Sequence, residues 1–222
     1  MPSFFAARSG DRAVIEGADA RHLARSLRAR VGEEVDVIDP AGKLLSVRLD
    51  LVSTDRVEGV IVAERDHRPE PAARITLAIA NLPAPALELA LSRCTEVGAF
   101  AFTVFQADRS VARGAKIERW TTICREAAML AGRLRVPEVA TARSLAQVVE
   151  TLQHPVLLQR TATMSLAGLT TPRDLTLCIG PEGGWTEAEA ALVKTQVSLG
   201  PRNLQAGTAA IVALGVALAA RE

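Results

Sequence analysis

Two glycine-bearing loops hold the residues of this chain that could do chemistry. The first, Ile179-Gly180-Pro181-Glu182-Gly183-Gly184-Trp185, follows an apolar run and precedes Thr186, with Glu189 three residues further on. Glycine lets a backbone approach a ligand closely and adopt positive φ, and open α/β sheets bind ligands at the carboxyl ends of their strands. A tight strand-to-helix turn with no ligand satisfies the same pattern. The glycine spacing is not that of a dinucleotide-binding turn, and no Gly-Lys-Ser follows to make a phosphate loop. The second loop, Ser198-Leu199-Gly200-Pro201-Arg202-Asn203-Leu204-Gln205-Ala206-Gly207-Thr208, also leads into a helical pattern. Two such loops before successive helices can wall one pocket. Neither pairs a nucleophile with a base, so the pocket is suited to binding rather than to a covalent intermediate.

The elements around the loops set their context. Residues 72–222 alternate apolar β-branched runs with helical patterns: strands over 75–79, 101–105, 155–159 and 175–179, and helices over 84–97, 117–132, 186–197 and 208–219. Alternation of this kind predicts an α/β domain with a mainly parallel sheet. Thr186 and Glu189 form a capping-box pattern at the start of the third helix. Residues 1–71 differ in texture. Short β-like runs over 35–38, 44–51 and 57–63 are separated by Asp39-Pro40-Ala41-Gly42 and Ser53-Thr54-Asp55. One helix precedes them, from 18 or 19 to 30, with Asp19 as a possible cap and Gly32 closing it. This predicts a small barrel-like module, joined to the second domain by the charged, proline-bearing linker Arg65-Asp66-His67-Arg68-Pro69-Glu70-Pro71.

Composition narrows the class. An apolar fraction of 49% supports a packed core, while aromatics at 3% and the absence of tyrosine argue against reading single-stranded bases by stacking. The net charge of +1 is uninformative, but the basic residues are segregated. Arg21, His22, Arg25, Arg28 and Arg30 fall in the predicted first helix with no acid among them, Arg21, Arg25 and Arg28 on one face. Arg109, Arg113, Lys116, Arg119, Arg125, Arg133 and Arg135 form a second group. Such groups contact nucleic-acid phosphates or simply solvate a helix face. Cys94, Cys124 and Cys178 have no metal or disulfide spacing and read as buried, reduced thiols of a cytoplasmic protein. His22, His67 and His154 likewise show no metal spacing. The N-terminus is too short an apolar run for a signal peptide. The apolar stretch over 209–220 is too short to span a bilayer, so it reads as a helix buried in a core or a subunit interface.

The blocks "IGPEGGWTEAE" and "LGPRNL…GTAA" resemble the two cofactor loops of the RsmE-type 16S ribosomal RNA uridine N3-methyltransferases of the SPOUT superfamily. "PSFFA" and "RHLARSLRARVGEEVDVIDPAGKLLSVRL" resemble that family's N-terminal RNA-binding barrel (PUA-like). "SRCTEVGAFAFTVFQADRSV" and "ERWTTICREAAMLAGRLRVPEV" resemble the first half of its catalytic domain. The resemblance implies an α/β fold whose C-terminal part passes through a trefoil knot, a homodimer, and S-adenosylmethionine as the methyl donor without a metal. It implies a donor site made by Gly180, Pro181, Glu182, Gly183, Gly184, Leu199, Gly200, Pro201, Asn203 and Leu204, with Thr208 at the start of the last helix. Arg202 is then the candidate catalytic residue, its guanidinium favouring the N3 anion of uracil, or else a surface side chain or a partner for Glu182. Arg21, Arg25, Arg28 and Arg109 are the implied contacts to 16S ribosomal RNA or the small subunit. Three places depart from the family. Pro83-Ala84-Pro85-Ala86 replaces a lysine-glycine-acid turn, Met129-Leu130-Ala131 a polar trio, and Gln205 and Gly207 an arginine and a glutamate. These departures favour the alternatives, a non-catalytic RNA-binding paralogue or an enzyme with a shifted RNA target.

Overall fold

The computed structural model describes residues 3–39, 41–169 and 173–221; Pro40 of the first expected turn lies outside them. Residues up to Glu70 form one unit, completed by Ala128–Arg135 from later in the chain. Its strands are β1 (Phe4–Phe5), β2 (Ala7–Ser9), β3 (Arg12–Glu16), β4 (Glu34–Asp39), β5 (Lys43–Val52) and β6 (Arg56–Asp66), in the sheet order β1-β4-β5-β6-β3-β2. β1 runs parallel to β4 and the other pairs are antiparallel. Alternate residues of a strand face one side, and here Val35 and Val37, Leu45, Val47 and Leu49, and Ala13 and Ile15 meet Phe4 and Leu23 in the core. Gly59 on β6 is dictated by packing, since a Cβ there would lie 2.3 Å from the Arg48 carbonyl oxygen. β6 also runs further than its apolar pattern, so Arg65 and Asp66 pair with Leu44 and Lys43 and the linker begins at His67.

The first helix is much shorter than its periodicity predicts. α1 covers Gly17–Arg21, a single π-helical turn follows over His22–Ser26, and Arg28 takes a left-handed φ of 54°. The reason is tertiary. The Gly32 amide donates to the Leu49 carbonyl at 2.7 Å and the Leu49 amide to the Glu33 carbonyl at 2.9 Å, which pulls the chain out of the helix towards β5. Helix propensity worth tenths of a kcal/mol per residue yields to such pairing. Arg21 and Arg25 therefore lie on helical turns, while Arg28 and Arg30 do not, and the expected common face does not form. Asp19 is buried inside the first turn, and Glu16 occupies the cap position.

Met129, one of the apolar replacements noted above, belongs to the core of this N-terminal unit. Arg133 is also buried there, its guanidinium bonded to the Glu70 carboxylate. It is not an accessible member of the second basic group.

The other unit comprises Pro71–Ala127 and Val136–Glu222. It contains β7 (Ile75–Ala80), α2 (Ala84–Val97), β8 (Ala101–Phe105), most of α3 (Ile117–Leu130), β9 (Glu138–Ala142), α4 (Leu145–Thr151), β10 (Pro155–Leu158), β11 (Leu175–Ile179), α5 (Glu187–Ala191), β12 (Thr195–Val197) and α6 (Ala206–Ala219). The sheet is parallel throughout, in the order β12-β10-β11-β7-β8-β9. β11 is wholly buried, as an apolar run in a sheet covered on both faces should be. The helix predicted over 186–197 is a correction. α5 ends at Ala191, and Thr195–Val197 instead forms an edge strand in register with Val156, Leu157 and Leu158. β9 and α4 were not read from sequence. α6 begins two residues before its prediction and packs on α2, β7 and β11, burying Ala210, Ala213, Leu214, Ala217 and Leu218. Among the described residues, no helix is long and apolar enough to cross a membrane.

Candidate functional site

Parallel strands deliver their carboxyl ends to one edge of a sheet. β12, β10 and β11 are neighbours, so the segments after Val197, Leu158 and Ile179 converge. They enclose a cavity of about 300 Å³.

The segment after β11 is built around Trp185. Its indole stacks on Phe105, centroids 6.1 Å apart and planes 2° from parallel. Its Nε1 donates to the Leu158 carbonyl at 2.8 Å. Gly180 is required here because a Cβ would sit 2.8 Å from the indole. The close approach expected of a ligand is made by this side chain. Gly184 closes the turn, its amide donating to the Pro181 carbonyl at 2.9 Å with a φ of 69°. The capping box of Thr186 and Glu189 is present. Buried Glu189 also accepts the Asp108 amide at 3.0 Å, and Thr186 Oγ1 donates to Asp108 Oδ2 at 3.0 Å, which anchors the segment to the loop after β8.

Glu182 Oε1 accepts the Ala206 amide at 3.0 Å. A carboxylate at a helix N-terminus satisfies a donor with no intrahelical partner and complements the helix dipole. This contact joins the first loop to α6. The Glu182–Arg202 pair considered from sequence is not formed, and Arg202 is exposed with no hydrogen-bond or ion-pair partner among the described residues.

Gly180, Pro181, Glu182, Gly184, Leu199, Gly200, Arg202, Asn203 and Leu204 line the cavity together. Gly183, Pro201 and Thr208 are not among its lining residues. A Cβ on Gly183 would meet the Arg109 side chain at 3.2 Å, and Arg109 Nη1 donates to the Gly183 carbonyl at 3.0 Å. Arg109 thus braces the first loop from outside. Arg21, Arg25 and Arg28 are exposed and lie in the N-terminal unit. Arg119 is held by Glu88 through two hydrogen bonds, and the guanidinium keeps the Glu88 carboxyl below its usual range.

Sequence reasoning missed Gln159, Arg160 and Thr161, and the indole of Trp185, all of which line the cavity. The strand over 155–159 was legible, and the rule that ligands sit at strand carboxyl ends would have found the turn that follows. Cys178 and Cys94 are buried among apolar groups; burial pushes the Cys178 thiol up to about 12 and raises that of Cys94 as well. Such thiols are poor nucleophiles. Among the described residues, no three His, Cys, Asp or Glu side chains group to hold a metal ion.

Residues 68–218 match the RNA methyltransferase domain family, and residues 15–62 match the RNA methyltransferase PUA domain. A ribosomal RNA small subunit methyltransferase E from Synechocystis sp. is 32% identical over 89% of this chain and 69% of its own length. The chain belongs to the ribosomal RNA small subunit methyltransferase E family. The Bacillus subtilis member is 29% identical over 90% of this chain and 87% of its own. Among solved structures, the family member from Neisseria gonorrhoeae bound to S-adenosyl methionine superposes with a TM-score of 0.85 at 26% identity, covering 96% of this chain and 95% of that one. The protein therefore has the α/β methyltransferase fold of the family with a PUA-like N-terminal domain.

Proposed function

We propose that the protein transfers a methyl group from S-adenosylmethionine to N3 of a uridine in 16S ribosomal RNA, acting in the cytoplasm as a homodimer without a metal. The observation that carries this reading is the cavity at the carboxyl ends of β10, β11 and β12. Its fit to the donor rests on open backbone: Gly184 lines the space, and a Cβ there would meet no protein atom within 4 Å. Leu158, Ile179, Leu199 and Leu204 offer apolar walls for a flat base. The volume lies at the small end of ligand sites, which run from about 300 to 1,000 Å³. The donor bound to the Neisseria relative supports the assignment. When bound, S-adenosylmethionine supplies a methyl group that is already electrophilic, which leaves the protein to align the base and exclude water. The donor-binding residues on this reading are Gly180, Pro181, Glu182, Gly184, Leu199, Gly200, Asn203 and Leu204, with Gly183 and Pro201 shaping the same loops and Thr208 in the first turn of α6. Arg202, exposed at the cavity, holds positive charge where the uracil N3 anion develops. Titration calorimetry should show saturable binding of S-adenosylmethionine, one per chain; no binding would remove the basis of the proposal. Nucleoside mapping of ribosomal RNA from a deletion strain then identifies the base.

In the same proposal, residues 1–71 form the RNA-binding β-barrel and residues 72–222 the catalytic domain, its C-terminal part threaded as a trefoil knot. Arg21, Arg25 and Arg28 are exposed and have no hydrogen-bond or ion-pair partner among the described residues, whereas Arg8, Arg12 and Arg56 of the same unit each sit on a carboxylate. Cations left free in this way suit phosphates. Replacing all three by alanine should weaken binding to every RNA alike and flatten its salt dependence, by about 0.7–0.9 in the log–log slope for each lost contact. Donor affinity should stay unchanged. Loss of sequence preference with the slope intact would show that they read bases.

The homodimer reading rests on α6, where Val212 is 39% exposed on a helix whose sequence over 206–219 has no charged residue. Sedimentation equilibrium should give a dimer at micromolar concentration, and a monomer would count against it.

One observation favours the second reading, a shifted target or a non-catalytic paralogue. A Cβ on Gly207 would lie 3.1 Å from the Ala86 carbonyl oxygen. The departures from the family at 83–86 and at 207 therefore meet at one close contact between the starts of α2 and α6. A deletion strain whose N3-methyluridine content is unchanged would establish it.

A further inference from the structure

The turn after β10 is held at successive backbone atoms. Trp185 Nε1 donates to the Leu158 carbonyl, the Gln159 amide to the Val197 carbonyl at 2.9 Å, and the Ala162 amide to the Gln159 carbonyl at 3.0 Å. Beyond it, the Ser198 amide donates to the Met164 carbonyl at 2.8 Å, and the Leu166 amide to the Ser198 carbonyl at 3.0 Å. The turn that carries Arg160 is thus stitched to the segment that runs into the Arg202 loop.

Both arginines line the cavity and both are exposed. Neither has a hydrogen-bond or ion-pair partner among the described residues. Glu182, the single carboxylate among the described lining residues, is engaged by the α6 amide. Two guanidiniums thus border a cavity whose single carboxylate among the described lining residues bonds neither of them. Guanidinium forks match phosphate and carboxylate oxygens, and like charges near one opening repel unless an anion joins them. The sulfonium of the donor is itself a cation, and the donor's one carboxylate can answer at most one of the two guanidiniums.

We propose that Arg160 and Arg202 form a two-guanidinium clamp for the anionic substrate RNA, in which Arg160 docks a backbone phosphate of the nucleotide presented to Arg202. The inference rests on reading the cavity as the donor site of an RNA methyltransferase. A phosphate contact made equally before and during the reaction appears in RNA affinity, whereas a charge aimed at the base appears in the rate. The two arginines therefore separate by experiment.

Arg160→Gln and Arg160→Lys are compared with the unmodified protein in equilibrium binding to a 16S ribosomal RNA transcript across a salt series, with S-adenosylmethionine titrated separately. Arg160→Gln should weaken RNA binding about tenfold and lower the log–log salt slope by about 0.7–0.9, with donor affinity unchanged. Arg160→Lys should restore the slope but only part of the affinity, because lysine keeps the charge and loses the fork. If Arg160→Gln weakens donor binding and leaves the RNA slope intact, Arg160 serves the donor carboxylate and the clamp is wrong. A variant that matches the unmodified protein in both measurements overturns it too. Neither readout needs turnover. An Arg160-dependent RNA slope in a protein that binds no donor would keep the clamp and overturn the methyltransferase reading, and no measurable affinity for either the transcript or the small ribosomal subunit would overturn both.

Discussion

Replacing Arg202 by glutamine is expected to lower the single-turnover rate of methyl transfer by about 10²- to 10³-fold, the usual effect of removing one preorganised donor from developing charge. On the proposed reading the acceptor is uracil N3, which carries a proton in the ground state, so negative charge on the base would grow as that proton leaves. A cation fixed nearby stabilises the anion more than the neutral base, and that difference sets the rate. Arg202 can play this part because its charge is not committed elsewhere: Glu182, the acid within reach in sequence, bonds the α6 amide. The loop bearing Arg202 is also positioned, since Gly200 takes a φ of 98° that other residues rarely adopt. Donor affinity, measured by calorimetry, should be unaffected. A variant that keeps the full rate would exclude the role, and a parallel fall in donor affinity would make Arg202 a donor ligand instead.

Trp185→Ala should cost about 3–5 kcal/mol of stability, as large-to-small changes at buried aromatics do. The indole is 8% exposed, stacks on Phe105, fills the space beside Gly180 and bonds the Leu158 carbonyl. Its loss leaves that carbonyl without its indole donor and removes the wall shared by the segments after β10 and β11. Donor binding should therefore fall together with stability. Trp185→Phe keeps a ring against Phe105 but not the N–H, and should cost less, with about 1 kcal/mol from the missing hydrogen bond. Urea unfolding followed by far-ultraviolet circular dichroism checks both, because Trp120 leaves residual fluorescence in either variant. Equal midpoints for Trp185→Ala and the unmodified protein would show that the cavity does not depend on this side chain.

The parallel sheet was legible in the sequence wherever a strand is buried on both faces. Apolar runs such as 75–79 and 175–179 have no other stable placement once helical patterns separate them. The capping box at Thr186 was legible too, because local hydrogen bonding fixes it. The two glycine loops belonged to the same class, since strand, loop and helix follow one another along the chain. What the sequence did not determine depends on partners distant in the chain. Thr195–Val197 continues a helical pattern and becomes a strand only because β10 offers an unpaired edge. The helix after Ala18 breaks because Gly32 and Glu33 bond Leu49. Arg133 looks like part of a basic surface until Glu70 meets it inside the N-terminal unit. Arg160 and Arg202 lie far apart in sequence and become one feature only when the carboxyl ends of β10 and β12 are neighbours. Local chemistry chose the segments that can bind; long-range strand pairing decided which of their side chains share a cavity.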